Sequence, residues 1–185
     1  AAWGDFSAGA ISGKVTAKGT LAGARAIDAL FALDPSRLHG SPLTGSGRVS
    51  VRGERVAAAH ADLELGGNKI EVRGAMGGRD DVLTARVDAP RLAVIHPQWS
   101  GRAEGTVQVS GSLAAPAMKF DLQARELAID GWRAATLSAK GQYAARPDAP
   151  LRVDATATGL IVPEGRAEQA SFDVQGTLKA HAATL

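Results

Sequence analysis

The chain has 185 residues with 21 Lys and Arg against 19 Asp and Glu, a net charge of +2, which leaves no basic excess for gripping a phosphate backbone, so no nucleic-acid partner is expected. It holds no cysteine, which excludes a disulfide scaffold, thiol catalysis and cysteine zinc sites, and no run of about 18 apolar residues that would cross a bilayer as a helix. Apolar residues make up 45% of the chain, but 37 of them are alanine and only eight residues are aromatic (3 Trp, 1 Tyr, 4 Phe), so the large side chains that fill a thick round core are scarce.

The opening Ala1-Ala2-Trp3-Gly4-Asp5 has neither the basic start nor the apolar middle of a signal peptide, and a segment of a longer protein is expected. From there, apolar and polar residues alternate almost throughout, which puts every second side chain on one face of a strand. The first run, Ile11–Leu21, holds Ile11, Val15, Ala17 and Leu21 in the apolar phase, and Phe31 and Leu33 follow. A helical turn is expected next at Asp34-Pro35-Ser36-Arg37-Leu38, with Asp34 as cap and Pro35 at the first helical position.

Alternation resumes with Val49 and Val51, then Leu63 and Leu65, then Ile70, Val72 and Met76, then Leu83 and Val87. A second helical turn is expected in Ala89–Pro97, where apolar residues stand at helical spacing between two prolines. The apolar phase continues through Val107, Val109 and Leu113, through Met118, Phe120 and Leu122, and through Leu137. Leu151 and Val153, then Phe172, Val174 and Leu178, complete it. Gly66-Gly67-Asn68, Gly77–Asp81, Ala115-Pro116, Asp130-Gly131 and Pro147–Pro150 supply ordinary turn chemistry. The reading is an all-β chain of about eleven or twelve strands, each with one apolar and one wetted face, as antiparallel meanders have.

A weak internal repeat accompanies the alternation. Lys18-Gly19-Thr20-Leu21 matches Ser110-Gly111-Ser112-Leu113, and Gly176-Thr177-Leu178 carries the tag again. Leu83–Ala93 echoes Leu151–Ile161, each with a Val-Asp-Ala triplet. We therefore expect a single unit over residues 1–185 with repeats near 5–95 and 96–185. A sheet with one apolar face must hide it, and pattern alone leaves two solutions open: a sandwich or barrel, and an elongated sheet curled into a trough.

The phrase Leu33-Asp34-Pro35-Ser36-Arg37-Leu38-His39-Gly40 with Leu43-Thr44-Gly45-Ser46-Gly47 resembles the periplasmic part of the TamB family, inner-membrane subunits of the translocation and assembly module within the wider AsmA-like proteins. Leu65–Gly77, Ile95–Gly105 and the Gly-Thr/Ser-Leu tags are similar to it too, so the likeness covers nearly the whole chain. The resemblance implies an antiparallel sheet curled into a U-shaped β-taco with an apolar trough, lined here by the apolar phase from Ile11 to Leu178. It implies a full-length protein in the periplasm of a Gram-negative bacterium, held in the inner membrane by a helix that this segment lacks. It further implies phospholipid acyl chains as cargo, a TamA-type outer-membrane barrel as partner, and nascent outer-membrane barrel proteins as further guests. No catalytic motif comes with it.

Other chemistry finds little support. His39, His60, His96 and His181 share no metal-ligand spacing, and neither a metal nor a cofactor is expected. Asp80-Asp81 follows Gly77-Gly78-Arg79 and reads as a hairpin tip rather than half of an acid pair. Gly45-Ser46-Gly47 lacks the flanking glycines of a nucleophile elbow. Trp3, Trp99 and Trp132 stand outside the alternating runs and read as caps of the sheet or as packing at its connections rather than a sugar-stacking face. Two non-enzymatic alternatives to a lipid trough remain. One is a scaffold whose strand edge pairs with a partner strand; the other is an extracellular β-solenoid, which a single Asn in the chain disfavours.

Overall fold

The computed structural model describes residues 11–20, 25–146, 148–163, 165–177 and 180–184. Among them, strands run in the order β1 (Gly13–Thr20), β2 (Ala26–Leu33), β3 (Ser36–Leu38), β4 (Ser41–Arg52), β5 (Arg55–Leu65), β6 (Asn68–Met76), β7 (Val82–Ala89), β8 (Ser100–Gly111), β9 (Pro116–Ile129), β10 (Trp132–Ala144), β11 (Pro150–Val162), β12 (Gly165–Thr177) and β13 (His181–Thr184). They form a single antiparallel sheet in chain order, with β3 lying off the main path against β4. β1 and β13 end the sheet without pairing to each other, so it is not closed into a barrel. The all-β reading holds.

The two expected helical turns fare differently. Leu92–Val94 is a turn of 3₁₀ helix between Pro90 and Pro97. It is pinned to the β5–β6 turn: Asn68 Nδ2 donates to Arg91 O (2.9 Å), Arg91 N donates to Asn68 Oδ1 (3.0 Å), and the Arg91 guanidinium donates to Gly66 O. Leu92 is the buried residue of this turn. Asp34-Pro35, by contrast, is not helical. It interrupts a strand whose two parts, β2 and β3, both pair with β4, at Ser46–Arg52 and at Ser41–Leu43. Proline has no N–H for the ladder, and Ser36 bridges the break, its Oγ donating to Asp34 O (2.7 Å) while Asp34 N donates to Ser12 O (3.0 Å).

Very little of this sheet is sealed from solvent. The buried apolar residues among those described are Met76, Leu92 and the alanines 89, 124, 134, 149 and 157, and no large side chain is fully buried. The accessible surface is 12258 Å², whereas a compact monomer of this mass exposes about 8,300 Å². The scarcity of large apolar residues in the sequence thus appears as a sheet without a thick interior.

Candidate functional site

Through the middle of the sheet the register gathers apolar side chains on one face and most of the polar ones on the other, with Leu30 of β2 an exception beside Arg48. One line of paired residues runs Val15, Phe31, Gly47, Ala61, Val72, Ala85, Val107, Phe120, Gly141, Val153, Val174 and Ala183, apolar on every strand it crosses. Beside it on the same face runs Gly45, Leu63, Ile70, Val87, Gly105, Leu122, Ala139, Ala155 and Phe172. On its other side Ala17, Ala29, Val49, Ala59, Gly74, Leu83, Val109 and Met118 continue the pattern. Leu33 sits opposite Gly13, Val51 opposite Ile27 and Val56, Leu65 opposite Leu43, and Met76 opposite Val56. Leu137 is paired with Ala124 and Ala157, and Leu151 with Gly176, in the same phase.

Two residues of the predicted apolar phase are not in strands. Ile11 precedes β1, and Leu113 lies in the turn after β8, both more than half exposed. Pairing of β8 with β9 ends at Gly111 opposite Pro116, where Gly111 turns away at φ 81°, so alternation read past that point no longer describes a strand. Leu21 and Leu178 fall outside the described residues, as does Trp3.

The opposite face is charged. A register line of Arg48, His60, Arg73, Thr84, Gln108, Lys119, Gln142 and Arg152 carries no acid, and Asp62, Glu71, Asp121, Asp154 and Asp173 recur in the adjacent line. Ion pairs join the bands: Arg73–Asp62 at 2.6 Å, with His60 Nε2 3.2 Å from the same carboxylate, and Arg152–Asp154 at 3.1 Å. At a sheet end the Arg55 guanidinium grips Asp81 with two bonds of 2.7 Å, and Gly78 N donates to the same carboxylate. The hydrogen bond from Arg55 holds the Asp81 carboxyl below its ordinary value. Asp28 beside Arg52 and Asp62 beside Arg73 are lowered for the same reason. The Asp80-Asp81 tip is therefore a structural clasp. Of the remaining histidines, His39 occupies a turn at φ 48°, His96 packs on Trp99 at 5.4 Å between ring centroids, and His181 opens β13.

Near one end of the sheet the backbone makes a concerted irregularity that the alternating runs did not reveal. Glu126 on β9 has φ 53° and Gly159 on β11 has φ 57°, and both lie beside Ala135 on β10. Gly101 on β8, at φ 95°, abuts Glu126 where the β8–β9 register shifts. Beyond this line the side-chain phase inverts. Leu127 and Ile129, Trp132 and Ala134, and Leu160 now join Leu137, Ala157 and Phe172 around an apolar cavity of about 320 Å³. Trp132 is therefore a strand residue on the apolar side, 54% exposed, rather than a cap. Three of the four strands carry a signal in the sequence, two consecutive non-apolar residues at Arg125-Glu126, Thr158-Gly159 and Glu168-Gln169, while β10 has Ala134-Ala135 at that place. A larger recess of about 600 Å³ lies on the opposite face among Lys69, Glu71, Arg86, Asp88 and Glu104, so its walls are charged.

A family model described as TamB, N-terminal domain, matches residues 2–185. The chain belongs to the TamB family. No solved structure matches it. Membership ties this TamB-family chain to envelope and outer-membrane assembly in Gram-negative bacteria and links it to the TamA-type assembly system. TamB proteins are transport and assembly proteins rather than enzymes. No helix among the described residues is long and apolar enough to cross a membrane.

Proposed function

We propose that the apolar face carries phospholipid acyl chains through the periplasm between the inner and outer membranes, as part of a longer protein anchored in the inner membrane. The sheet bends along its length into a U, the apolar face forms the trough, and the head groups ride at its open lip. The observation that carries this reading is the apolar register line that crosses from β1 to β13 without a polar side chain, while among the described residues no second layer seals it. Burial stabilises an acyl chain by about 0.8 kcal/mol per methylene. A line of similar apolar residues gives nearly equal burial at each step, so barriers to sliding stay low. Direction has to come from energy or a sink outside this segment.

The test is photocrosslinking in cells. Reactive residues go at Phe120 and Leu122 on the apolar face and at Asp121 and Gln123 on the charged face. The expected result is phospholipid adducts at the first pair only; protein adducts there without lipid defeat the carrier reading.

A further inference from the structure

The apolar face contains glycines whose missing side chain is replaced by a neighbour. At Gly141 the Cζ and Cε1 atoms of Phe120 lie 2.6 and 2.7 Å from where a Cβ would stand, and the backbone carbonyl oxygen of Arg152 on β11 lies 2.8 Å from the same point. At Gly47 the ring of Phe31 takes that place, with its Cζ at 2.7 Å. A Cβ on Gly45 would meet Leu63 Cδ2, and one on Gly105 would meet Leu122 Cδ2. Each large residue comes from the strand paired with its glycine, in the two adjoining register lines. On β9 the arrangement is two-sided: Phe120 leans over β10 and Leu122 over β8. On β4 it is reversed, with Gly47 receiving a side chain from β2 and Gly45 one from β5.

Glycine in a strand interior weakens it and marks a place where another group must come close; a large side chain lying over an edge-on glycine recovers part of that loss. The consequence for the surface is height. Phe120, Phe31, Leu63 and Leu122 lie along the sheet instead of standing up from it. Two sheets that pack face to face need upright side chains to interdigitate, and these positions do not supply them. A straight hydrocarbon chain needs the opposite, a low floor without posts.

We infer that Gly45, Gly47, Gly105 and Gly141 are specificity-determining positions that keep the floor of the apolar face low enough for an unbranched acyl chain to pass. This rests on the reading of that face as a lipid carrier. A Cβ branch at Gly105 or Gly141 displaces Leu122 or Phe120 upright and places a barrier across the middle of the sheet. Lipid then remains on the side from which it loads and does not reach the other.

The experiment places photoreactive residues at Ile70 on β6 and at Val153 on β11, in the protein that carries this chain, and compares the parent with Gly141→Val. The parent gives lipid adducts at both positions. The expected result for Gly141→Val is loss of adducts at one position and retention at the other, with Phe120→Ala in the same chain restoring both because the displaced ring is gone. Equal loss at both positions, or no loss at either, overturns the proposal while the parent adducts leave the carrier reading intact. Absence of adducts in the parent removes the carrier reading, and this inference falls with it. If Gly141→Val does not accumulate, Gly141→Ala undergoes the same comparison, since even a single methyl group occupies the place of the Phe120 ring.

Discussion

On β9, Phe120 and Leu122 lie flat over glycines of the flanking strands, while Leu127 and Ile129, on the same strand past Glu126, wall a cavity of about 320 Å³. The two stretches share strands, solvent and the same supply of apolar residues. What separates them is the neighbour: in the middle a glycine sits beside each of these large side chains, and at the end Leu127, Trp132, Leu137, Leu160 and Phe172 meet one another or alanine. Alternation decides which face a side chain takes. The Cβ on the next strand decides how far it rises.

The largest expected effect separates the two regions altogether. Gly159 has φ 57°, a conformation in which a β-branched residue is strained, so Gly159→Val should cost about 2–3 kcal/mol, read as a lower midpoint in urea unfolding. It should also disturb the cavity end more than the middle, visible as amide exchange that rises first in the β9–β12 ends. Next comes Gly141→Ala, which forces Phe120 off its seat and should cost about 1–2 kcal/mol by overpacking. Ala157→Leu is the contrasting change at the cavity: the empty volume beside it accepts the added carbons, and the expected stability change stays within about 1 kcal/mol. If Ala157→Leu proves as costly as Gly141→Ala, the two regions are equally tight and the contrast fails.

The smallest effect lies on neither apolar region. Asp81 should titrate below 3.8 because Arg55 stabilises its charged form. A carboxyl with a lowered folded value lends stability that is present above the unfolded value and disappears as pH falls through the folded one. Carboxyl NMR should therefore follow Asp81 below 3.8, and Arg55→Gln should move it back up and remove that contribution from the acid limb of stability.

The strands and the face of most apolar side chains were readable from alternation alone, because a period of two leaves few other solutions for Val107–Val109 or Met118–Leu122. Three features were not. Asp34-Pro35 offers a helix cap and a strand break with the same residues, and only the pairing of β2 and β3 with one strand decides between them. Leu113 continues the alternation past Gly111, where the ladder has already ended. The phase inversion needs Glu126, Ala135 and Gly159 to align across three strands, and that alignment is a property of register rather than of any one run. The shared apolar face of the middle strands followed from phase, whereas Leu127, Trp132 and Leu160, which surround the cavity, lay beyond the inversion and were missed. The tag Gly-Thr/Ser-Leu proves to mark strand ends, at Gly19-Thr20, Gly111 and Gly176-Thr177.

Chain order and sheet order coincide from β4 to β13. Each new strand therefore finds its hydrogen-bonding partner in the segment made immediately before it, across a connection of at most ten residues. Such a chain can assemble like a zipper from one end, without waiting for distant sequence. Its stability accumulates as a sum of neighbouring interfaces, so lengthening or shortening it by whole hairpins changes its reach and leaves the remaining strands with the partners they already have.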